Sequence, residues 1–401
     1  MFKEVLDKFY PEMVELRREF HRYPELSYEE VKTSALIMEK LKAYGCDTVE
    51  QMYKTGVVAT IKGGLGEGKC FGLRGDIDAL PVTEETGVFF ESRNPGVMHA
   101  CGHDIHITSL LACARILCEC RDQFRGTVKL IFQPGEEGAS PADPYGGAHY
   151  MIQAGCLENP HVDAMASWHN NPVAEGHGVL ALKKGVCTSG FDLYRFNVYG
   201  KTAHGSSPHK GNDAIVALSN VIVLIQQLIA RNVDPLESAV VNVGTISGGS
   251  RVNIVPDYAT AGAVFRYYSN DVGKVIREHT YAICKGVETI SGCRIEIECN
   301  PGYACVENDD ALTELSEKAI KAELGEDACY YMDTPVTGSE DFSAYHLTGG
   351  IPTTFMWVNT RPMEGHEVAS LHNSKWCPDV DIIRYSAPAM AAIAVKYLNE
   401  N

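Results

Sequence analysis

The densest run of metal-binding side-chain types in the sequence is His99-Ala100-Cys101-Gly102-His103-Asp104-Ile105-His106. Imidazole, thiolate and carboxylate are the donors that divalent transition metals take. A helix cap would account for one of these residues but not for the run. A second signal is Gln133-Pro134-Gly135-Glu136-Glu137-Gly138, directly after an apolar segment. Neighbouring side chains diverge there, so one carboxylate can hold a metal while the other faces bound water as a general base. Trp168-His169-Asn170 closes another apolar segment, and Leu371-His372-Asn373 lies far along the chain. Alone, each reads as a solvated turn or a hydrogen-bonded strand end; only in company do they point to a metal site with a general base beside it.

In Leu73-Arg74-Gly75-Asp76-Ile77-Asp78-Ala79-Leu80-Pro81, two carboxylates fall on one side of an extended stretch. Its Arg-Gly-Asp string continues a core strand and is not read as an adhesion loop, and Asp78 is the better placed of the two as an orienting acid. His106 and Asp104 read either as ligands or as partners that fix a ligand's tautomer. His21, His149, His161, His177, His279, His346 and His366 read as surface or packing residues. Cys118 and Cys120 do not read as a redox pair, since one intervening helical residue points them apart and no strongly basic neighbourhood is evident.

The elements that must position these groups alternate. Helical periodicity covers Phe2 to Arg22 and Tyr28 to Tyr44, followed by strand-like runs at Val57 to Ile61 and Cys70 to Leu73. Next come a helix from Ile105 to Cys120, a strand at Val128 to Phe132, a helix near His149 and a strand at Ala164 to Ser167, which predicts a mostly parallel α/β sheet. After Lys183 the pattern changes to strand, helix, two strands, helix, strand, a ferredoxin-like βαββαβ unit inserted into the larger domain. The expected boundaries are 1–186 and 300–401 for the catalytic domain and 187–299 for the insert, with hinges near Lys183 to Ser189 and Glu298 to Gly302.

A chain of 401 residues favours two domains, and its net charge of −17 argues against binding nucleic-acid backbones or anionic membranes. Neither a signal-peptide stretch nor a run of the roughly 20 apolar residues that a membrane span needs is read, so a cytoplasmic location and no membrane partner are expected. The 14 Cys show no regular framework and are expected to be reduced thiols.

Six strings, in order along the chain, together resemble one family: Arg-Gly-Asp-Ile-Asp-Ala-Leu-Pro, Met-His-Ala-Cys-Gly-His-Asp, Phe-Gln-Pro-Gly-Glu-Glu-Gly, Gly-Lys-Thr-Ala-His, Gly-Gly-Ser-Arg-Val-Asn-Ile-Val-Pro and Gly-Ser-Glu-Asp-Phe. The family is that of the co-catalytic metallopeptidases and amidohydrolases, including aminoacylase, hippurate hydrolase and the plant indole-acetyl-amino-acid amidohydrolases. The resemblance implies a zinc-peptidase-like catalytic domain with an inserted lid or dimerisation domain, and hydrolysis of the amide bond of an N-acyl-amino acid. It further implies that Cys101 bridges two divalent metals, with His103 and His169 completing one site and Glu137 and His372 the other. Glu136 would be the base, and Asp78 would steady a ligating His. His204 would donate to the developing oxyanion, within its subunit or across a homodimer. Asn253 and Arg266 would bind the substrate's carbonyl or carboxylate. The segment starting at Gly338 would line the cleft, although a helix cap by Ser339 would explain much of it. Other branches of the superfamily carry His where this chain has Asp76 and a bridging Asp where it has Cys101. A thiolate suits zinc, while carboxylate and imidazole also accept manganese, cobalt or nickel. The rival readings are a dipeptidase or aminopeptidase with the same metals, and a metal- or ligand-binding protein without catalysis. The second would show a missing base or ligand, whereas all six residues are present.

Overall fold

Pro11 divides the first helical stretch. Proline cannot donate a backbone hydrogen bond inside a helix but is well suited to its first turn, so the chain forms α1 (Phe2–Asp7) and restarts at α2 (Tyr10–Arg22). The computed structural model describes residues 1–138 and 145–401. The next helix, α3 (Val31–Tyr44), starts later than the periodicity predicts, because Tyr28 has a φ of 67° that no helix accommodates. Then follow β1 (Thr48–Met52), β2 (Gly56–Lys62), β3 (Cys70–Asp76), α4 (His103–Glu119), β4 (Thr127–Gln133), α5 (Gly147–Gln153), β5 (Ala164–Pro172), β6 (Leu180–Leu182) and β7 (Gly185–Val186). The polar strand β1, with Glu50 and Gln51 among its residues, carries no apolar alternation and was not expected from the sequence.

The chain continues through β8 (Gly190–Tyr199), β9 (Ala203–His204), α6 (Ala214–Asn232), β10 (Ala239–Gly248), β11 (Ile254–Val255), β12 (Tyr258–Tyr267), α7 (Asn270–Ser291) and β13 (Arg294–Pro301). It ends with β14 (Glu307–Asn308), α8 (Asp310–Leu324), β15 (Cys329–Tyr331), α9 (Ser343–Leu347), β16 (Thr353–Thr360) and α10 (Ile383–Glu400). Residue contacts divide the chain into two compact units. The first is Met1–Cys187, Glu307–Thr334 and Asp341–Asn401; the second is Thr188–Val306 with Pro335–Glu340.

The first unit is built on an eight-stranded sheet of order β1-β2-β4-β3-β5-β16-β6-β15. Its centre, β4-β3-β5-β16, is parallel, and antiparallel pairings flank it. Six of the seven residues of β2 and all seven of β3 are buried, as strands covered on both faces must be. Helix α4 is buried along most of its length and packs with α10 against β3. Each fully buried Leu, Ile or Phe there stabilises the fold by about 1.5–3 kcal/mol.

The second unit has a four-stranded antiparallel sheet of order β10-β12-β8-β13 with α6 and α7 between its strands in sequence, a ferredoxin-like arrangement. Helix α6 packs on β8, β10 and β12 through Ala217, Leu218, Val221, Ile225 and Leu228. By length and composition alone it is also long and apolar enough to cross a membrane, contrary to the expectation that no segment is. Its uncharged Ser, Asn and Gln residues break the apolar run to the eye but lower the mean hydropathy little. Its apolar stretch is one-third buried within the chain.

Candidate metal centre

The parallel strands bring the chemical residues to one level. Asp76 pairs with Gln133 across β3 and β4, and Leu73 pairs with Ala166 across β3 and β5. Three residues further along both strands, Asp76 and His169 therefore stand at the same height, at the carboxyl end of the sheet where α/β proteins bind ligands. Gly102 joins Cys101 to α4 with a φ of 84°, and a Cβ there would lie 2.3 Å from the Asn170 amide nitrogen. Only glycine can make that turn and let Cys101 approach β5.

Ligand atoms of Cys101, His103 and His169 lie within 4.8 Å of one another, as do those of Cys101, Glu137 and His372. The Cys101 thiol thus belongs to two ligand groups at once. A third group of the same compactness joins His103, Glu136 and Glu137, which puts the Glu136 carboxylate beside both.

Tautomers follow from the partners. His103 Nδ1 donates to the Asp78 carbonyl oxygen at 2.9 Å and stands 3.2 Å from Asp78 Oδ1. Its Nε2 is buried with no hydrogen-bond partner, so that lone pair is available to a cation. His169 Nδ1 donates to the Asn170 carbonyl at 2.9 Å, leaving Nε2 3.3 Å from Cys101 Sγ. Burial, reinforced by the charges of His106 and His103, holds the His169 pKa well below its usual value, so the ring is neutral. Burial also opposes a charge on His103, but Asp76, Asp78 and Glu137 outweigh it and raise that pKa to about 10. With no ion at the site Nε2 therefore carries a proton, and an ion binding at that nitrogen would displace it.

His106 is excluded as a ligand by its own bonds. Its Nδ1 donates to Asp76 Oδ1 at 2.5 Å and its Nε2 accepts from Asn170 Nδ2 at 2.9 Å. Asp76 is likewise committed, to His106 and to Arg74 Nη1 at 2.6 Å. Arg74 is buried and also holds Gln133 and Asp341, the position of a core strand residue and not of an adhesion motif. Asp104 turns away from the thiol to Arg17 and to His21 Nδ1, each at 2.8 Å, and His21 Nε2 reaches Glu84 at 2.9 Å. His21 is thus a buried member of an ionic network.

The donor set fits divalent ions. His372 Nε2 is 2.9 Å from Glu137 Oε1, yet that oxygen has no hydrogen-bond partner. The two groups stand at ion-pair distance, and an imidazole and a carboxylate converging beside the Cys101 thiol are donor types that a common cation takes. His372 holds a φ of 65°, sparsely populated for a non-glycine residue, and its N–H donates to the Ala100 carbonyl at 2.8 Å, which ties the loop to the Cys101 segment.

Sequence reasoning missed how the loop that carries Glu136 is held. Asp78 Oδ2 accepts from Ser27 Oγ at 2.7 Å and from the Glu137 N–H at 2.9 Å. The Gly135 N–H donates to Glu30 Oε1 at 3.0 Å. Glu30 is fully buried; burial, then the charge of Asp78, raises its pKa to about 7. The Glu in Pro24-Glu25-Leu26-Ser27-Tyr28-Glu29-Glu30 that matters is marked by nothing local, since its partners lie far along the chain.

Two sequence expectations are corrected here. Ser339 caps no helix, since α9 starts from Phe342 without a side-chain cap; its hydroxyl lies 3.1 Å from both Ser189 Oγ and Arg266 Nη1. Cys118 has a basic neighbour after all: Arg121 Nη2 is 3.9 Å from its sulfur, and Cys46 Sγ, brought by the α3–β1 turn, is also at 3.9 Å.

Within the second unit, β9 and β11 pair His204 with Ile254, and the Gly205 N–H donates to the Asn253 carbonyl at 2.8 Å, so His204 and Asn253 are neighbours. Arg266 Nη1 lies 3.1 Å from Ser189 Oγ, the Thr337 carbonyl and Ser339 Oγ. All three are neutral, and no described carboxylate pairs with this guanidinium. Gly338 accepts from the Ser189 N–H at 2.9 Å through its carbonyl.

Comparison with known proteins shows the family to which the chain belongs. A hippurate hydrolase of Campylobacter jejuni is 36% identical over 398 residues, covering 99% of both chains. An N-acetyl-L-cysteine deacetylase of Bacillus subtilis is 37% identical over 87% of this chain and 80% of its own. A crystal structure of a dinuclear metal-binding peptidase from Bacillus subtilis superposes with a TM-score of 0.82 at 29% identity, over 98% of this chain and 99% of that one. The model of peptidase family M20/M25/M40 matches residues 72–395, and the chain belongs to that family.

Proposed function

We propose that this chain is a metal-dependent amidohydrolase that cleaves the amide bond of N-acyl-amino acids. The observation that carries the reading is the Cys101 thiol shared between two compact ligand groups, with the Glu136 carboxylate beside them. Cys101, His103 and His169 would hold one divalent ion, and Cys101, Glu137 and His372 a second; zinc, manganese, cobalt and nickel all suit these donors. When bound, such ions supply a water of lowered pKa and positive charge for the attacked oxygen. Glu136 takes the proton of that water and returns it to the departing amine. Asp78 keeps the His103 lone pair directed into the site. His204 donates to the oxyanion, and Asn253 holds the acyl carbonyl. The names of the relatives, a hippurate hydrolase and an N-acetyl-L-cysteine deacetylase, favour an acylated amine over a free one. A matrix of metals against substrates on the stripped enzyme checks this: turnover of N-benzoyl- and N-acetyl-amino acids supports it, and turnover of free dipeptides alone contradicts it.

Arg266 supplies the charge that an acidic protein needs to hold a substrate carboxylate, and the segment from Gly338 to Ser339 steadies that guanidinium. Replacing Arg266 by Met is expected to raise KM by about 10–100-fold, the loss of a charged hydrogen bond of about 1.5–3 kcal/mol, with a smaller effect on kcat. Equal KM for wild type and variant would remove Arg266 from the binding site.

We further propose that the chain forms a homodimer through its second unit. Strand β10 ends the sheet, and among the described residues its outer edge is unpaired. Val240 and Ile246 on it, and Val216 and Val223 on α6, are more than half exposed. Such an edge invites pairing with a second copy. Sedimentation should give a dimer for the wild type and a monomer for a Val223→Lys, Ile246→Lys variant; a monomeric wild type would contradict this.

A further inference from the structure

Glu30 is a carboxylate with no evident reason to be inside the protein. It is fully buried, no described cation pairs with it, and although it stands at the N-cap of α3 its side chain makes no capping bond. Burying a charged or polar group is costly unless its bonds are satisfied, and neutral donors offset that cost less well than a cation does. Its two oxygens meet neutral donors only: the Thr55 hydroxyl and the Gly135 N–H from distant segments, and the backbone N–H groups of Tyr28 and of Glu30 itself.

Gly135 immediately precedes Glu136. Its N–H is held by Glu30, its carbonyl accepts from the Gly147 N–H at 2.9 Å, and the Glu137 N–H is held by Asp78 Oδ2 at 2.9 Å. The backbone is therefore fixed on both sides of Glu136. Gly135 takes a φ of 62°, and the space its missing side chain leaves is filled by the Tyr28 ring, which would meet a Cβ at 2.3 Å. The same ring lies 2.7 Å from where a Cβ on Gly138 would stand. Tyr28 achieves this from its own left-handed backbone conformation, two residues before Glu30. A costly carboxylate and a sparsely populated tyrosine conformation thus act on one short turn from one short segment.

We propose that Glu30 and Tyr28 are positioning residues for Glu136: the Glu30 carboxylate grips the Gly135 N–H, and the Tyr28 ring fills the bend, so that the base projects in one direction. This deepens the proposed function and rests on the reading of Glu136 as the base. Neither residue is required to touch substrate or metal, so their loss should fall on kcat alone. A misplacement of about 1 Å at a reacting group costs about 10²-fold in rate.

The test uses the full-length, metal-loaded enzyme with an N-acyl-amino acid that the wild type turns over. Glu30→Leu should lower kcat by about 10²-fold while KM stays within twofold and metal content is unchanged. Glu30→Gln keeps an acceptor for Gly135 in the same place and should restore kcat to within about threefold. Tyr28→Ala removes a partly exposed ring and should lower kcat about tenfold at constant KM, with Tyr28→Phe restoring it. Folded Glu30→Leu with wild-type kcat overturns the proposal, and so does Glu30→Gln as slow as Glu30→Leu, because charge and not grip would then matter. Should Glu30→Leu fail to fold, wild-type kcat in Tyr28→Ala overturns it. Glu136→Gln run in parallel separates the two readings: if it is inactive while Glu30→Leu is active, only the positioning role fails, and if it is active, the base assignment itself fails.

Discussion

Glu136→Gln is expected to bind metal as the wild type does and to lose about 10²–10⁴-fold in kcat, the range that a positioned general base contributes. The exchange removes the proton acceptor while keeping the size and hydrogen-bonding shape of a side chain that is nearly buried, at 6% exposure. Metal retention follows because the two ligand groups that share Cys101 do not include Glu136. KM should change little, since the residues proposed to hold substrate are others. The check is kcat and KM beside metal content by elemental analysis on the same preparation. A variant that turns over at the wild-type rate would show that another group takes the proton, and a variant that loses its metals would make Glu136 a ligand.

Cys101→Ala should have the second large effect, of a different kind. Because the thiol is common to both groups, its removal takes one donor from each, and what remains is His103 with His169 and Glu137 with His372. Two donors seldom retain a divalent ion against buffer, so both ions and all activity should be lost together. By contrast, His169→Ala should weaken one ion and leave the other, because His169 belongs to one group only. Cys101→Asp restores an atom able to bridge, and the sequence resemblance places a bridging Asp at this position in other branches; it should recover metal binding that Cys101→Ala lacks. Elemental analysis after dialysis reads all three. Full metal content in Cys101→Ala would contradict the shared-donor geometry.

Much of this site is legible in the sequence because its residues sit where strands end. Asp76 and Gln133 are the last residues of β3 and β4, and His103 opens α4, so short apolar runs followed by polar clusters mark them without any knowledge of the fold. The ferredoxin-like insert is legible for a similar reason: its strands alternate in burial along β8 and β12, and its helices carry clear periodicity. The unusual residue types help too, since a thiol between two histidines has few bland explanations.

What the sequence hides depends on distant partners. Nothing near Glu30 distinguishes it from Glu29, and only the approach of Gly135, 105 residues away, gives it a role. His21 looks like an ordinary helical surface residue until Asp104 and Glu84 close around it. Cys118 looks isolated because its neighbour Cys46 is 72 residues earlier, across the α3–β1 turn. Strand β1 escapes notice because its pairing with β2, and not its own pattern, makes it a strand. Local periodicity reports which face of an element is buried, whereas these roles are set by which element buries it.

The most direct measurement is a crystal structure of the metal-loaded enzyme with anomalous scattering recorded at the metal's absorption edge. Two peaks are predicted, both within bonding distance of Cys101 Sγ, one also touching His103 and His169 and the other touching Glu137 and His372. A single peak, or two peaks of which either lies out of reach of that sulfur, would contradict the binuclear centre.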